Sequence, residues 1–146
     1  MQPQLYYNSP CPPLSPPLLT DETMSLIADV EELASQLPAL ISAHKADLAS
    51  KQKAMKELQT AGLTYAAEHW RDGKYLYLIH PSRDGQRERK YVGADPAKIA
   101  VAQASIRRAG EYDQLSREAM QIEVKLRQGG DRLRDAVAYM TGKRTW

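Results

Sequence analysis

The side chains able to do chemistry are few and scattered. The chain has three histidines and one cysteine. His44 falls on a row of apolar residues at helical spacing, where a polar group more often sets register than binds a ligand. His69 and His80 lie in β-prone sequence, but no carboxylate is spaced to complete a metal site with them. Cys11 stands among prolines with no base beside it, a poor setting for a nucleophile. One cysteine forms neither an intramolecular disulfide nor a cysteine-rich zinc site. No glycine loop of the phosphate-cradling kind occurs. Catalytic residues, a cofactor and a metal are therefore not expected, and an enzyme is not the expected class.

A second group of residues carries more information. Residues 73–93 read "GKYLYLIHPSRDGQRERKYVG". They hold Lys74, Arg83, Arg87, Arg89 and Lys90, with Arg71 just before them, and the tyrosines Tyr75, Tyr77 and Tyr91. Guanidinium groups make bidentate contacts to phosphate or to guanine. Tyrosine rings stack on unpaired bases, and their hydroxyls bond to phosphate. A two- or three-stranded ribbon can also enter a major groove. The expected interface is therefore Lys74, Tyr75, Tyr77, Arg83, Arg87, Arg89, Lys90 and Tyr91, with nucleic acid as the partner, DNA ahead of RNA. Two other readings fit the same residues. Charged edge strands protect small sheets from aggregation, and cross-strand tyrosines stabilise them. The surface would also suit a protein of a larger nucleic-acid machine.

Charge distribution agrees with an anionic partner. The formal net charge is only +2, yet residues 1–60 carry four lysines against seven acids. Residues 71–90 carry six basic and three acidic groups, and residues 125–146 carry six and two. The second basic segment comprises Lys125, Arg127, Arg132, Arg134, Lys143 and Arg144. Asymmetry of this kind hints at a polyanion, although a solvated helix face produces it too.

Local sequence predicts the elements that must position these groups. Residues 1–19 contain six prolines. Proline fixes φ and lacks a donor, so this stretch reads as an extended or disordered arm of polyproline character. From Thr20 to Ala61 a helix is expected, capped by Thr20 or Asp21. Its apolar row is Leu26, Val30, Leu33 and Leu37, then Ile41, His44, Leu48, Lys51, Met55 and Leu58. These steps of three and four form a heptad seam whose phase shifts at Pro38, where a kink or break is expected. Gly62 ends the segment.

Residues 62–93 change to period two. Asp72-Gly73 and Asp84-Gly85 are hairpin turn signals, so a three-stranded antiparallel meander is expected. Alternation puts Tyr75, Tyr77 and Ile79 on one face, Leu76 and Leu78 on the other. It likewise groups Arg87, Arg89 and Tyr91 against Glu88 and Lys90. Residues 94–146 read as a second helix, opened by Asp95 as cap and Pro96 in the first turn. Its seam runs Ile99, Ala102, Ile106, Ala109, Tyr112, Leu115, Ala119, Ile122 and Leu126. Gly129-Gly130 is expected to weaken or break it before Leu133, Val137 and Met140.

At 146 residues the chain fits one domain. Its apolar share contains no phenylalanine and rests on Ala, Leu, Ile and Val, which suits long helices with narrow interfaces. No stretch approaches the roughly 18–20 apolar residues of a membrane span, and no secretory signal is evident, so a cytoplasmic protein without a membrane partner is expected. The fold class that follows is mainly α with a small β-sheet: a long antiparallel coiled-coil helical hairpin with a three-stranded meander at its tip. A homodimer would bury the same helical seams.

Residues 73–93, through Tyr75, Tyr77, Gly85, Arg87, Lys90, Tyr91 and Gly93, resemble the tyrosine-rich basic hairpin of a group of small bacterial and mobile-element proteins. They are also similar to the arm-type DNA-binding domain of phage-like tyrosine integrases, a three-stranded sheet packed on a helix. The resemblance covers about a seventh of the chain. The long preceding helix departs from the integrase pattern, and no catalytic integrase domain follows. It implies DNA contact through the sheet and a phage or plasmid setting. The expected function is a non-enzymatic nucleic-acid-binding accessory protein. The alternative is an adaptor or inhibitor that acts through its coiled-coil helices.

Overall fold

The computed structural model describes residues 20–143. The arm expected over residues 1–19, with Cys11, lies outside the described residues, as does Arg144. The order of elements is α1 (Asp21–Ala61), β1 (Ala67–Arg71), β2 (Tyr75–Ile79), β3 (Arg89–Gly93) and α2 (Pro96–Thr141). The strands form one antiparallel sheet in the order β1-β2-β3. The chain is thus mainly α with a small β-meander, the fold class its periodicities predict. It divides into two units, residues 1–43 and 44–146.

In the first unit Thr20 is the cap of α1. Its Oγ1 accepts the backbone N–H of Thr23 at 3.1 Å, and Asp21 and Glu22 place negative charge in the first turn. The helix then runs on through Pro38, so the expected break into two helices does not occur. Proline removes one donor, leaving the carbonyl four residues earlier, that of Ala34, without its partner. Ala34 is exposed, so water can satisfy that carbonyl. Good helix formers on either side carry the helix past the cost.

In the second unit the expected seam is protected from solvent position by position. His44, Leu48, Lys51, Met55 and Leu58 on α1 are half-buried, as are Ile99, Ala102, Ile106, Tyr112, Leu115, Ala119 and Leu126 on α2. Ala109 and Ile122 are buried outright. Two bonds fix the register. Lys51 Nζ donates to Glu118 Oε2 at 3.0 Å, and Arg108 Nε donates to the carbonyl of Gly62 at 2.8 Å. Moving back along α1 from Gly62 to Lys51 moves forward along α2 from Arg108 to Glu118, so the two helices are antiparallel here.

Arg108 does a second job. The last carbonyls of a helix lack intrahelical donors and carry partial negative charge. The last turn of α1 has no basic residue of its own. Arg108 supplies the missing cation from α2, bonding Ala61 as well as Gly62.

Asp95 caps α2, its Oδ1 accepting the N–H of Ala97 at 3.1 Å, with Pro96 in the first turn. The helix runs on through Gly129-Gly130 to Thr141, so the expected break is absent there as well. Each glycine costs about 1 kcal/mol relative to alanine, which Arg127, Gln128, Arg132 and Leu133, all good helix formers, tolerate. Termination comes later, at Gly142, whose φ of 70° is left-handed. Among the described residues, no helix is long and apolar enough to cross a membrane.

Two predictions follow from these contacts. Arg108→Ala should lower unfolding stability by about 1–2 kcal/mol in urea, the usual loss for helix-end carbonyls stripped of a charged donor. The second concerns pH. The Glu118 carboxyl is held below its ordinary 4.5, first by the Gln114 amide and then by Lys51. The Lys51 ammonium is held above 10.5, chiefly by Glu118. A lowered carboxylate contributes stability above its unfolded value and loses it as pH falls through its folded one. A raised ammonium contributes below its unfolded value and loses it as pH rises through its folded one. Wild type and Lys51→Met should therefore differ by a steady amount in urea midpoint between pH 4.5 and 10.5. That difference should shrink on both sides of the window.

Candidate nucleic-acid interface

The sheet owes its shape to two aspartate-glycine pairs. Asp72 and Gly73 have φ of 54° and 67°, and Asp84 and Gly85 have 55° and 81°. Two consecutive positive φ values are what a type I′ hairpin turn demands, and aspartate and glycine tolerate them best. The first turn closes with Lys74 N–H donating to the carbonyl of Arg71 at 3.1 Å. The second closes with reciprocal backbone bonds between Arg83 and Gln86, both 3.1 Å.

The second hairpin is longer than its turn requires. The expected strands abutting Asp84-Gly85 are absent: β2 ends at Ile79 and β3 begins at Arg89. Residues 80–88 instead form a narrow extension, held by His80 N–H to the Glu88 carbonyl at 2.9 Å and by the isolated Arg83–Gln86 bridge. Pro81 removes one donor, and Ser82 interrupts the apolar alternation, so the ladder lapses between those two points. Arg83 sits on this extension, and Arg87 lies between it and β3. Arg87 therefore lies outside the strand pattern that grouped it with Arg89 and Tyr91.

Register assigns the remaining residues to faces. Leu76 and Leu78 are buried. Their cross-strand neighbours include Trp70, Glu68 and Lys90. Glu68 accepts bonds from Trp70 Nε1 at 3.2 Å and from Gln103 Nε2 of α2 at 3.5 Å, so this is the face turned to α2. Lys90 belongs to it, on the edge, exposed and away from the tyrosines.

The opposite face carries Tyr75, Tyr77 and Ile79. Opposite Tyr75 stands Arg71; opposite Tyr77 stand His69 and Tyr91; opposite Ile79 stand Ala67 and Arg89. The Tyr77 and Tyr91 rings lie 5.0 Å apart, tilted by 51°, a favourable aromatic arrangement. Tyr75 and Tyr91 remain 39% and 56% exposed. Arg71, Asp72, Tyr75, Tyr77 and Tyr91 together line a shallow concavity.

Arg71, Lys74, Arg83, Arg87, Arg89 and Lys90 are all exposed. Among the described residues none of them has an acidic group within ion-pair distance. Asp72 and Asp84 stand in the two turns with exposed carboxylates that make no ion pair with these cations, and Glu88 is the only acid between Gly85 and Gly93. The cations are therefore free to meet an external anion without first breaking an internal pair.

Of the residues singled out from the sequence, the structure gathers Tyr75, Tyr77, Arg89 and Tyr91 on one face. It sets Lys74 in the adjoining turn and Arg83 and Arg87 on the extension, and it turns Lys90 the other way. Arg71 and His69 join the face through the β1 register. A two-residue Asp72-Gly73 turn would pair Arg71 with Lys74; the pairing is instead with Tyr75, with Lys74 left in the turn, so this neighbour was not legible in the turn signal.

The connection from α1 to β1 holds this face in place. Thr64 N–H donates to the Ser105 carbonyl at 3.2 Å, and the Thr64 and Ser105 hydroxyls are bonded to each other. Tyr65 OH donates to Asp113 at 2.9 Å, and that bond holds the phenol above its ordinary ionisation value. No family model matches the chain, and no match appears among curated proteins or solved structures.

One position keeps the tyrosines in register. Between Leu76 and Tyr77 the pairing slips: Leu76 opposes Gly93 and Tyr77 opposes Tyr91, so Val92 is the extra residue of a β-bulge. Gly93 is at φ 111°, a region nearly closed to other residues. A Cβ there would meet the Tyr91 ring at 3.9 Å, an ordinary contact, so the cost of Gly93→Ala lies in the backbone. That substitution should destabilise the second unit by about 1–3 kcal/mol, read by urea unfolding.

Proposed function

We propose that this protein is a non-enzymatic nucleic-acid-binding accessory protein that contacts DNA, ahead of RNA, through its sheet. The observation that supports this reading most is the open face. Three tyrosines, two of them well exposed, lie beside Arg71 and Arg89, with Lys74, Arg83 and Arg87 on the adjoining turn and extension, all without internal ion pairs. Phosphates are the natural partners of unpaired guanidinium groups, and unpaired bases are the natural partners of exposed phenol rings. A bacterial phage or mobile element is the proposed setting, resting on the resemblance carried by Tyr75, Tyr77, Gly85, Arg87, Lys90, Tyr91 and Gly93.

The exposed apolar rows on both helices favour a second reading, an adaptor or inhibitor of a nucleic-acid machine. Capture from a nuclease-treated lysate separates the two, because only a protein partner survives removal of nucleic acid.

Filter binding to an oligonucleotide over a salt series tests the first reading. Arg87→Ala with Arg89→Ala should weaken binding by at least roughly tenfold and reduce the slope of log K against log salt by about two. Binding indifferent to salt, or untouched by the double substitution, would contradict it. Tyr75→Ala and Tyr91→Ala should weaken binding to single strands by about 1–3 kcal/mol per stacked base while leaving the salt slope unchanged.

A further inference from the structure

The open sheet face is bounded on one side by β3, an edge strand. Beyond that edge a groove runs between β3 and the first turns of α2, bordered by Lys90, Tyr91, Val92, Lys98, Val101 and Ser105. Tyr91 also borders the tyrosine concavity. The two depressions therefore share one residue, and its 56% exposure leaves the passage between them open.

The groove is chemically one-sided. Lys90 and Lys98 bring two exposed ammonium groups to it. Neither has an acid within ion-pair distance among the described residues, and no carboxylate borders the groove. The acids nearest in sequence are placed elsewhere. Glu88 borders a different depression, with Arg83 and Gln86, and Asp95 caps α2 through the N–H of Ala97. Val101 is 68% exposed, so the groove also offers an apolar contact beside its two cations.

The route between the depressions limits what can follow it. It turns over a ridge one strand wide, about 5 Å. Duplex DNA, with a persistence length of about 50 nm, is too stiff to make that turn. A single strand makes it readily, and its unpaired bases are what tyrosine rings stack on.

We propose that the ligand is a single strand that crosses the β3 edge, its bases against Tyr75, Tyr77 and Tyr91 and its next phosphates on Lys90 and Lys98. The proposal rests on the reading of the sheet face as a nucleic-acid surface, and adds to it the class of nucleic acid and its path. It also gives Lys90, which faces away from the tyrosines, a place on the same ligand.

Filter binding of the full chain to an oligonucleotide of about fifteen nucleotides, alone or annealed to its complement, is the test. The single strand should bind at least roughly tenfold more tightly than the duplex. Lys90→Ala with Lys98→Ala should weaken single-strand binding about tenfold and lower the slope of log K against log salt by about 1.4, from two contacts at about 0.7 each. Lys90→Arg with Lys98→Arg should keep both at the wild-type level. Val101→Glu should weaken binding as strongly as the lysine pair. Ala100→Glu adds the same charge one residue away, outside the groove, and should weaken it far less. All four positions are exposed, so urea midpoints should stay near wild type. Suppose Arg87→Ala with Arg89→Ala weakens binding while the lysine pair does not, or the duplex binds as tightly as the single strand. The crossing is then wrong and the sheet-face reading stands, with the lysines left as guards of the edge. Equal losses for Val101→Glu and Ala100→Glu mark a general charge effect and overturn the crossing too. If no oligonucleotide binds in low salt, the sheet-face reading fails and the crossing with it.

Discussion

Leu76 and Leu78 anchor the sheet to α2, and the rest of the molecule follows from how little apolar material is available for that purpose. A three-stranded sheet has two faces, and this chain has one helix surface to set against them. The two leucines of β2 take it. Tyr75 and Tyr77, their alternating neighbours, must then point away, and Tyr91 and Arg89 of β3 with Arg71 of β1 are carried to the same side by register. The open aromatic and basic face is therefore a consequence of strand geometry once the leucines are placed.

The same scarcity governs the helices. Only Leu76, Leu78, Ala109 and Ile122 are buried hydrophobics among the described residues. Where such a core is thin, polar contacts must fix positions that packing alone would leave loose. Arg108 holds the end of α1, Lys51 and Glu118 hold its register against α2, and Thr64 and Tyr65 tie the connecting segment to Ser105 and Asp113. These bonds lie between elements, so they set the placement of the sheet as well as the stability of the unit. A seam containing Lys51 gives up some apolar burial in return for a single alignment.

Much of this was legible in the sequence, and the exceptions share a cause. Both aspartate-glycine turns, the two faces of β2, the Asp95-Pro96 start of α2 and the seam from His44 to Leu58 follow from local rules, and the structure has them. The positions where context outweighs a local penalty are less legible: of a kink or a break at Pro38, and of weakening or a break at Gly129-Gly130, the break does not occur. Pro38 disfavours helix by about 3 kcal/mol or more and each of Gly129 and Gly130 by about 1 kcal/mol, while long runs of good helix formers surround them. The bulge at Val92 has its mark in Gly93, but a lone glycine at a strand end reads equally as a terminator. Arg87 was grouped with β3 by alternation, yet Pro81 and Ser82 shorten the ladder and leave it outside. Lys90 entered the basic cluster by proximity in sequence; its pairing with Leu78 turns it toward α2. None of the cross-element bonds made by Arg108 or Tyr65 has any local signature.

The proposed binding surface is the open sheet face. Backbone amide chemical shifts, followed while an unlabelled oligonucleotide is titrated into the labelled protein, test it residue by residue. Shifts should concentrate at Arg71, Tyr75, Tyr77, Arg89 and Tyr91 and along residues 83–87, with little change along the α2 seam from Tyr112 to Ile122. Shifts confined to the helices, or no shifts at any oligonucleotide concentration in low salt, would contradict it.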